Sequence, residues 1–225
     1  MDLDSSGKAN SGGPVSLQES KQLRGDGLAV VSTIDNLACA EFIITAFVLS
    51  GIAHVMWLRS RASLRFNFPL DGGRCLGGKR IFGSNKMFRG FVVMIPATGV
   101  AFALLFTIAR IISPKLAGEL WPLSPWQYAA IGVWAGFGFM AGELPNSFLK
   151  RRLAISPGSA PPHPVTRTVF FVIDRLDSIA GMLLALSAVV FVPFWTWIYV
   201  VGFGAAIHWG FSALLFFAGV KGRAA

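Results

Sequence analysis

The sequence predicts an all-α polytopic membrane bundle of about five spans, with a polar cavity open to the cytoplasm. Three observations predict it. The 225-residue chain is 54% hydrophobic and only 14% charged, with a mean hydropathy of +0.60, too apolar for a soluble domain. Apolar runs of about 20 residues recur, the length a helix needs to cross a bilayer. The basic residues behind the formal net charge of +9 sit in loops between those runs, as the positive-inside rule describes.

Residues 1–36 are polar and rich in Ser and Gly, and read as a disordered tail. No basic stretch runs directly into an apolar core there, so a cleaved signal peptide is not expected. Residues 37–225 then form a single membrane domain. Its spans are expected at 37–58, 90–112, 126–142, 179–192 and 197–219. The fourth is short, and Pro193 is expected to end or kink it.

Loop charge orients the bundle. The first loop carries Arg59, Arg61, Arg65, Arg74, Lys79, Arg80, Lys86 and Arg89 against Asp71 alone. The third carries Lys150, Arg151, Arg152, Arg167 and Arg175, and the C-terminal tail carries Lys221 and Arg223. Five spans put all three on one side, expected to be the cytoplasmic face of the cytoplasmic membrane. Trp121, Trp126, Trp195 and Trp197 fall near span ends, where interfacial aromatics belong. Basic loops of this kind fit phosphate-bearing ligands and membrane lipids, and no nucleic-acid partner is expected. The two cysteines, Cys39 and Cys75, supply no disulfide framework and no metal-ligand spacing.

Two stretches could carry chemistry. Residues 71–90 read D-G-G-R-C-L-G-G-K-R-I-F-G-S-N-K-M-F-R-G. Glycines let backbone N–H groups approach phosphate oxygens, and Lys79, Lys86 and Arg89 could neutralise a polyphosphate. A positive-inside loop with turns has the same composition, and the P-loop spacing is absent. Residues 142–181 carry acids and bases at a span edge, where charge is costly unless it works together. Glu143 ends the third span, and Lys150, Arg151 and Arg152 follow about two turns later. Asp174 and Asp177 are three apart, so on a helix they share one face and could both point at one Mg²⁺. The basic triplet alone could serve topology, and the acids could pair with Arg175. His54 and His208, inside spans one and five, read as interhelical hydrogen bonders. No Ser/His/Asp or Cys/His nucleophile pattern is visible.

At these residues the chain resembles the CDP-archaeol synthase family of membrane cytidylyltransferases, distantly related to phosphatidate cytidylyltransferases. The matching pieces are 71–90, G-E-L-P-N-S-F-L-K-R-R-L at 142–153 and D-R-L-D at 174–177, with a weaker match around His208. The resemblance covers residue 37 onward. It implies a reaction of CTP with a lipid phosphate that gives a CDP-lipid and pyrophosphate. It implies Asp174, Asp177 and Glu143 as Mg²⁺ ligands, with Lys150 beside them in catalysis. It implies Lys79, Asn85, Lys86, Arg89, Ser147, Arg151 and Arg152 as the residues that bind CTP and the lipid phosphate. Where the family usually has Gly-Asp-x-Lys-Thr, this chain has Gly83-Ser84-Asn85-Lys86-Met87; where it usually has Gly-Asp, this chain has Gly142-Glu143. A CTP-dependent polyprenol kinase and a non-catalytic lipid-phosphate binder are the alternatives.

Overall fold

The computed structural model describes residues 34–159 and 161–217. The first 33 residues of the expected tail, Lys221 and Arg223 lie outside the described residues. In chain order the elements are helix α1 (Asn36–Arg59), a 3₁₀ turn (Arg61–Phe66), strands β1 (Cys75–Leu76) and β2 (Lys79–Arg80), and helices α2 (Phe88–Ile112), α3 (Pro114–Gly118), α4 (Pro125–Arg152), α5 (Pro164–Ser187) and α6 (Phe194–Phe217). The fold is mostly helical. Among the described residues, α1 and α2 are long and apolar enough to cross a membrane.

Local signals set the helix starts. Asp35 accepts from the N–H groups of Leu37 and Ala38 (2.9 and 2.8 Å) and caps α1, satisfying donors that would otherwise be orphaned. Ser124 and Gln127 form a reciprocal capping box on α4, the pairing that fixes an N-terminus. Proline opens α3, α4 and α5, where its missing N–H costs nothing. α2 has Met87 at its N-cap, which offers no side-chain cap.

Two spans differ from expectation. α4 continues ten residues past 142 and carries Lys150–Arg152 on its last turn. α5 starts at Pro164, well before 179, and ends at Ser187, so Asp174 and Asp177 are mid-helix residues. Pro193 neither ends nor kinks α5 and lies just before α6. Both differences have one cause. A hydropathy reading stops at charge, whereas a helix continues as long as its charged face has partners.

The core is aromatic at the end away from the basic loops. Phe42 meets the edges of Phe102 and Tyr128 at centroid distances of 5.1 and 5.4 Å, and Phe106 stacks on Tyr128 at 3.8 Å. Trp121 belongs to this core instead of an interface. It is 2% exposed, its indole N–H donates to the Phe191 carbonyl (2.7 Å), and its own carbonyl accepts from the Tyr128 hydroxyl (2.9 Å). Trp126 and Trp195 are exposed, as span-end aromatics should be.

α4 and α5 touch backbone to backbone. A Cβ on Gly181 would lie 2.4 Å from the Gly138 carbonyl oxygen and 2.6 Å from the Gly142 Cα. Small residues at such a crossing let two helices approach closely. The crossing lies within a turn of Glu143 and of Asp177, so it sets the distance between the acids of the two helices.

Candidate active site

The first loop is folded around a carboxylate of its own. Asp71 is fully buried and accepts from the Arg80 guanidinium (2.5 Å) and from the N–H groups of Gly73 (3.0 Å), Phe82 (3.1 Å) and Gly83 (3.2 Å). Two of the glycine N–H groups expected to face phosphate, those of Gly73 and Gly83, hold Asp71 instead. Burial pushes its carboxyl up, but Arg80 and the three N–H groups outweigh that and hold it at about 2. Gly77 and Gly78 turn the hairpin with positive φ at both positions, as a type I′ turn requires. The loop closes where Leu70 N–H meets the Lys86 carbonyl (2.8 Å) and Phe68 stacks on Phe88 at 4.9 Å.

Lys79 and Arg152 hold this loop to α4. The Arg152 guanidinium donates to the carbonyls of Leu76, Lys79 (2.9 Å) and Arg80 (2.9 Å), and the Lys79 ammonium donates to the Arg152 carbonyl (3.1 Å). Neither lines the cavity described next. The structure gives these two predicted phosphate binders a different task, because the hairpin's carbonyls need donors and the end of α4 supplies them.

The remaining predicted residues converge. Glu143, Ser147, Lys150, Arg151, Asp174, Asp177, Asn85, Lys86 and Arg89 all line one cavity of about 1050 Å³. Positions 143, 146, 147, 150 and 151 share a face of α4 by helical spacing, and Asp174, Asp177 and Ser178 face them from α5. Lys86 pairs with Glu143 Oε2, and Lys150 with Asp174 Oδ1. The cavity runs on between α1, α5 and α6, where Ile43, Phe47, Ile179, Met182 and Val200 form apolar walls. His54 also lines it.

Two residues the sequence reading left without a role complete the cluster. The Asn146 amide nitrogen donates to Asp174 Oδ1 (2.6 Å) and Asp177 Oδ2 (2.7 Å). Ser178 is fully buried, and its hydroxyl donates to Glu143 Oε1 (2.8 Å). Both were reachable by spacing: Asn146 lies one turn from Glu143, and Ser178 follows Asp177 directly. Uncharged polar residues carry no hydropathy signal strong enough to single them out.

The electrostatics favour an anionic ligand. Burial lowers the Lys86 ammonium, but Glu143 first, then Asp177 and Asp174, reverse this and hold it above the ordinary lysine value. Arg151 is 9% exposed, and its Nε and Nη1 have no hydrogen-bond partner. Burial pulls its guanidinium below the usual value. A buried cation with unused donors beside paired Lys–acid groups is arranged to receive phosphate oxygens. Among the described residues no three His, Cys, Asp or Glu side chains converge as a metal cage. The expected third acid, Glu143, therefore does not join a three-acid cage, and Asp174 and Asp177 are the pair that could hold a Mg²⁺. The Asn146 nitrogen lies between their oxygens, and its own Oδ1 is buried without a partner.

Comparisons with known proteins show which family the chain resembles. A family model described as CarS-like, CDP-archaeol synthase, matches residues 62–223. The CDP-archaeol synthase of Halobacterium salinarum is 40% identical over 127 residues, 56% of this chain and 62% of that protein. Those of Hyperthermus butylicus and Methanopyrus kandleri are 34% and 31% identical, over 53% and 63% of this chain and 58% and 70% of theirs. The alignments thus span about three fifths of the length of the first of these relatives. A solved structure, reported as structural insight into an intramembrane enzyme for archaeal membrane lipids biosynthesis, superposes with a TM-score of 0.51. The match covers 75% of this chain and 89% of that one, at 20% identity. A likeness at that identity concerns the fold.

Proposed function

The chain belongs to the CDP-archaeol synthase family, and from that premise we propose that it transfers the cytidylyl group of CTP to a lipid phosphate within a membrane. A phosphate oxygen of the lipid attacks the α-phosphorus of CTP. The new P–O bond forms as the bond from the α-phosphorus to the bridging oxygen breaks, and pyrophosphate leaves with that electron pair. No protein nucleophile is required. The protein's work is alignment and charge neutralisation.

The observation that carries this reading is the meeting of bases and acids at one end of a cavity whose other end is apolar. Lys86, Lys150 and Arg151 would neutralise the phosphates, with Arg151 already desolvated and unpaired. Asp174 and Asp177 would hold Mg²⁺, which supplies charge stabilisation at the phosphate oxygens. Glu143, fixed by Lys86 and Ser178, would set the position of the Lys86 ammonium. Arg89 and Asn85, which also line the cavity, would contact the nucleotide. The apolar walls suit a lipid chain that arrives sideways through a five-span bundle. The basic loops support a cavity facing the cytoplasm.

Labelled CTP tests the reaction. With purified protein, Mg²⁺ and a panel of glycerolipid and polyprenyl phosphates, label at the α-position should appear in lipid, and label at the γ-position in pyrophosphate. Lipid labelled only from the γ-position would instead establish a kinase. Transfer from neither position, across the panel, would favour a non-catalytic binder.

A further inference from the structure

We infer that Asn146 is an oxygen ligand of the divalent cation, whose side-chain amide turns over when the cation arrives. The inference rests on the cytidylyltransferase reading and deepens it. Three observations lead to it. The Asn146 side chain is nine-tenths buried, at 8% residue exposure. Its NH₂ bridges one oxygen of Asp174 and one of Asp177, at 2.6 and 2.7 Å. Its Oδ1 has no partner at all.

The chemistry of the partners fixes which way the amide points. Two carboxylates can only accept, so without a cation the donor end must face them. The NH₂ group then holds apart two acids that would otherwise repel, and its nitrogen occupies the place between their oxygens. A cation entering beside the two carboxylates reverses the preference. It repels the N–H dipoles and favours oxygen, as hard divalent ions do. Rotation about the Cβ–Cγ bond exchanges the two ends without moving the backbone. It presents Oδ1 to the cation and moves the NH₂ group to the place that Oδ1 leaves. The site then has three protein oxygens instead of two. Pro145 lies inside α4 and lacks the N–H of one helix hydrogen bond; Asn146 follows it, one turn beyond Gly142.

The residue type matters. Leucine matches asparagine in shape and provides neither donor nor acceptor. Aspartate provides oxygen without a turn but adds a third carboxylate when no cation is present. The two substitutions therefore separate the roles.

Mn²⁺ binding to detergent-solubilised full-length protein, read by electron paramagnetic resonance without CTP, tests the inference. Wild-type protein should bind Mn²⁺. N146L should bind it ~10–100-fold more weakly, the loss expected when a group supporting a metal site is removed. N146D should bind at least as tightly as wild type. Its melting temperature should fall in EDTA and recover with Mn²⁺ by more than that of wild type. N146L with wild-type affinity, or N146D as weak as N146L, overturns the ligand role. Protein that turns over with CTP yet holds no Mn²⁺ alone overturns it too and leaves the reaction standing. A D174N/D177N double variant that still binds Mn²⁺ as wild type would sink the metal site itself, and the inference with it.

Discussion

Replacing Gly181 by alanine adds one methyl group at the tightest point between α4 and α5. Its Cβ would lie 2.4 Å from the Gly138 carbonyl oxygen and 2.6 Å from the Gly142 Cα. Both are backbone atoms, so nothing can swing aside. Ordinary contact begins at 3.4 Å, so the helices must part locally by about 1 Å. Overpacking of this kind costs about 1–3 kcal/mol. The larger effect falls on chemistry. The Asn146 bonds to Asp174 and Asp177, now 2.6 and 2.7 Å, would stretch beyond the ~3.2 Å limit of a good N–H···O bond. A misplacement of about 1 Å in a reacting site can lower the rate ~100-fold. Gly202→Ala is the matched control, because its Cβ would meet nothing within 4 Å. Thermal unfolding in detergent and single-turnover transfer of α-labelled CTP measure the two effects. Gly181→Ala that melts and reacts like Gly202→Ala would refute the claim that this crossing sets the acid–acid distance.

Two further outcomes are expected. Asp71 has its carboxyl lowered from 3.8 to about 2, so its contribution to the loop should be complete above about pH 4 and disappear as pH falls through about 2. Asp71→Asn should accelerate hydrogen exchange in 75–80 at neutral pH, and unchanged exchange would show that the loop does not depend on this carboxylate. Cys39 is fully buried and Cys75 exposed, so an impermeant thiol reagent reports on the first loop alone. Permeabilised cells should be labelled and intact cells should not, whereas labelling of intact cells would reverse the orientation.

The sequence made the helical character and the rough positions of the spans legible because apolar runs are local signals. The start residues Asp35, Ser124 and the three prolines went unused, and the start of α5 was expected at 179 instead of Pro164. The lengths of α4 and α5 were not legible, because the partners that let charge continue a helix come from elsewhere: Lys86 for Glu143, and Asn146 for Asp174 and Asp177. The acids and bases of the cavity could be named from type and spacing. How they divide their tasks could not. Lys150, Arg151 and Arg152 are indistinguishable as a triplet, yet one pairs with an acid, one is unpaired in the cavity, and one grips a hairpin. Successive residues on a helix point 100° apart, so a cluster in sequence becomes a fan in space. Asp71 looked like a lone acid in a basic loop because most of its donors, from Arg80, Phe82 and Gly83, lie well beyond it in the chain.

The grip of Arg152 on the hairpin has a consequence for motion. Helix ends fray, and the last turn of α4 holds Lys150 and Arg151. Bonds between residues 73 apart in sequence make that turn and the hairpin open together, as one cooperative unit, at a free energy neither segment would have alone. An exposed hairpin whose strands lie outside the cavity thus limits the directions two cations can take before a ligand arrives. Ordering done in advance is ordering that binding does not have to supply. Changes in the hairpin strands should therefore register as weaker nucleotide affinity, although those strands do not line the cavity.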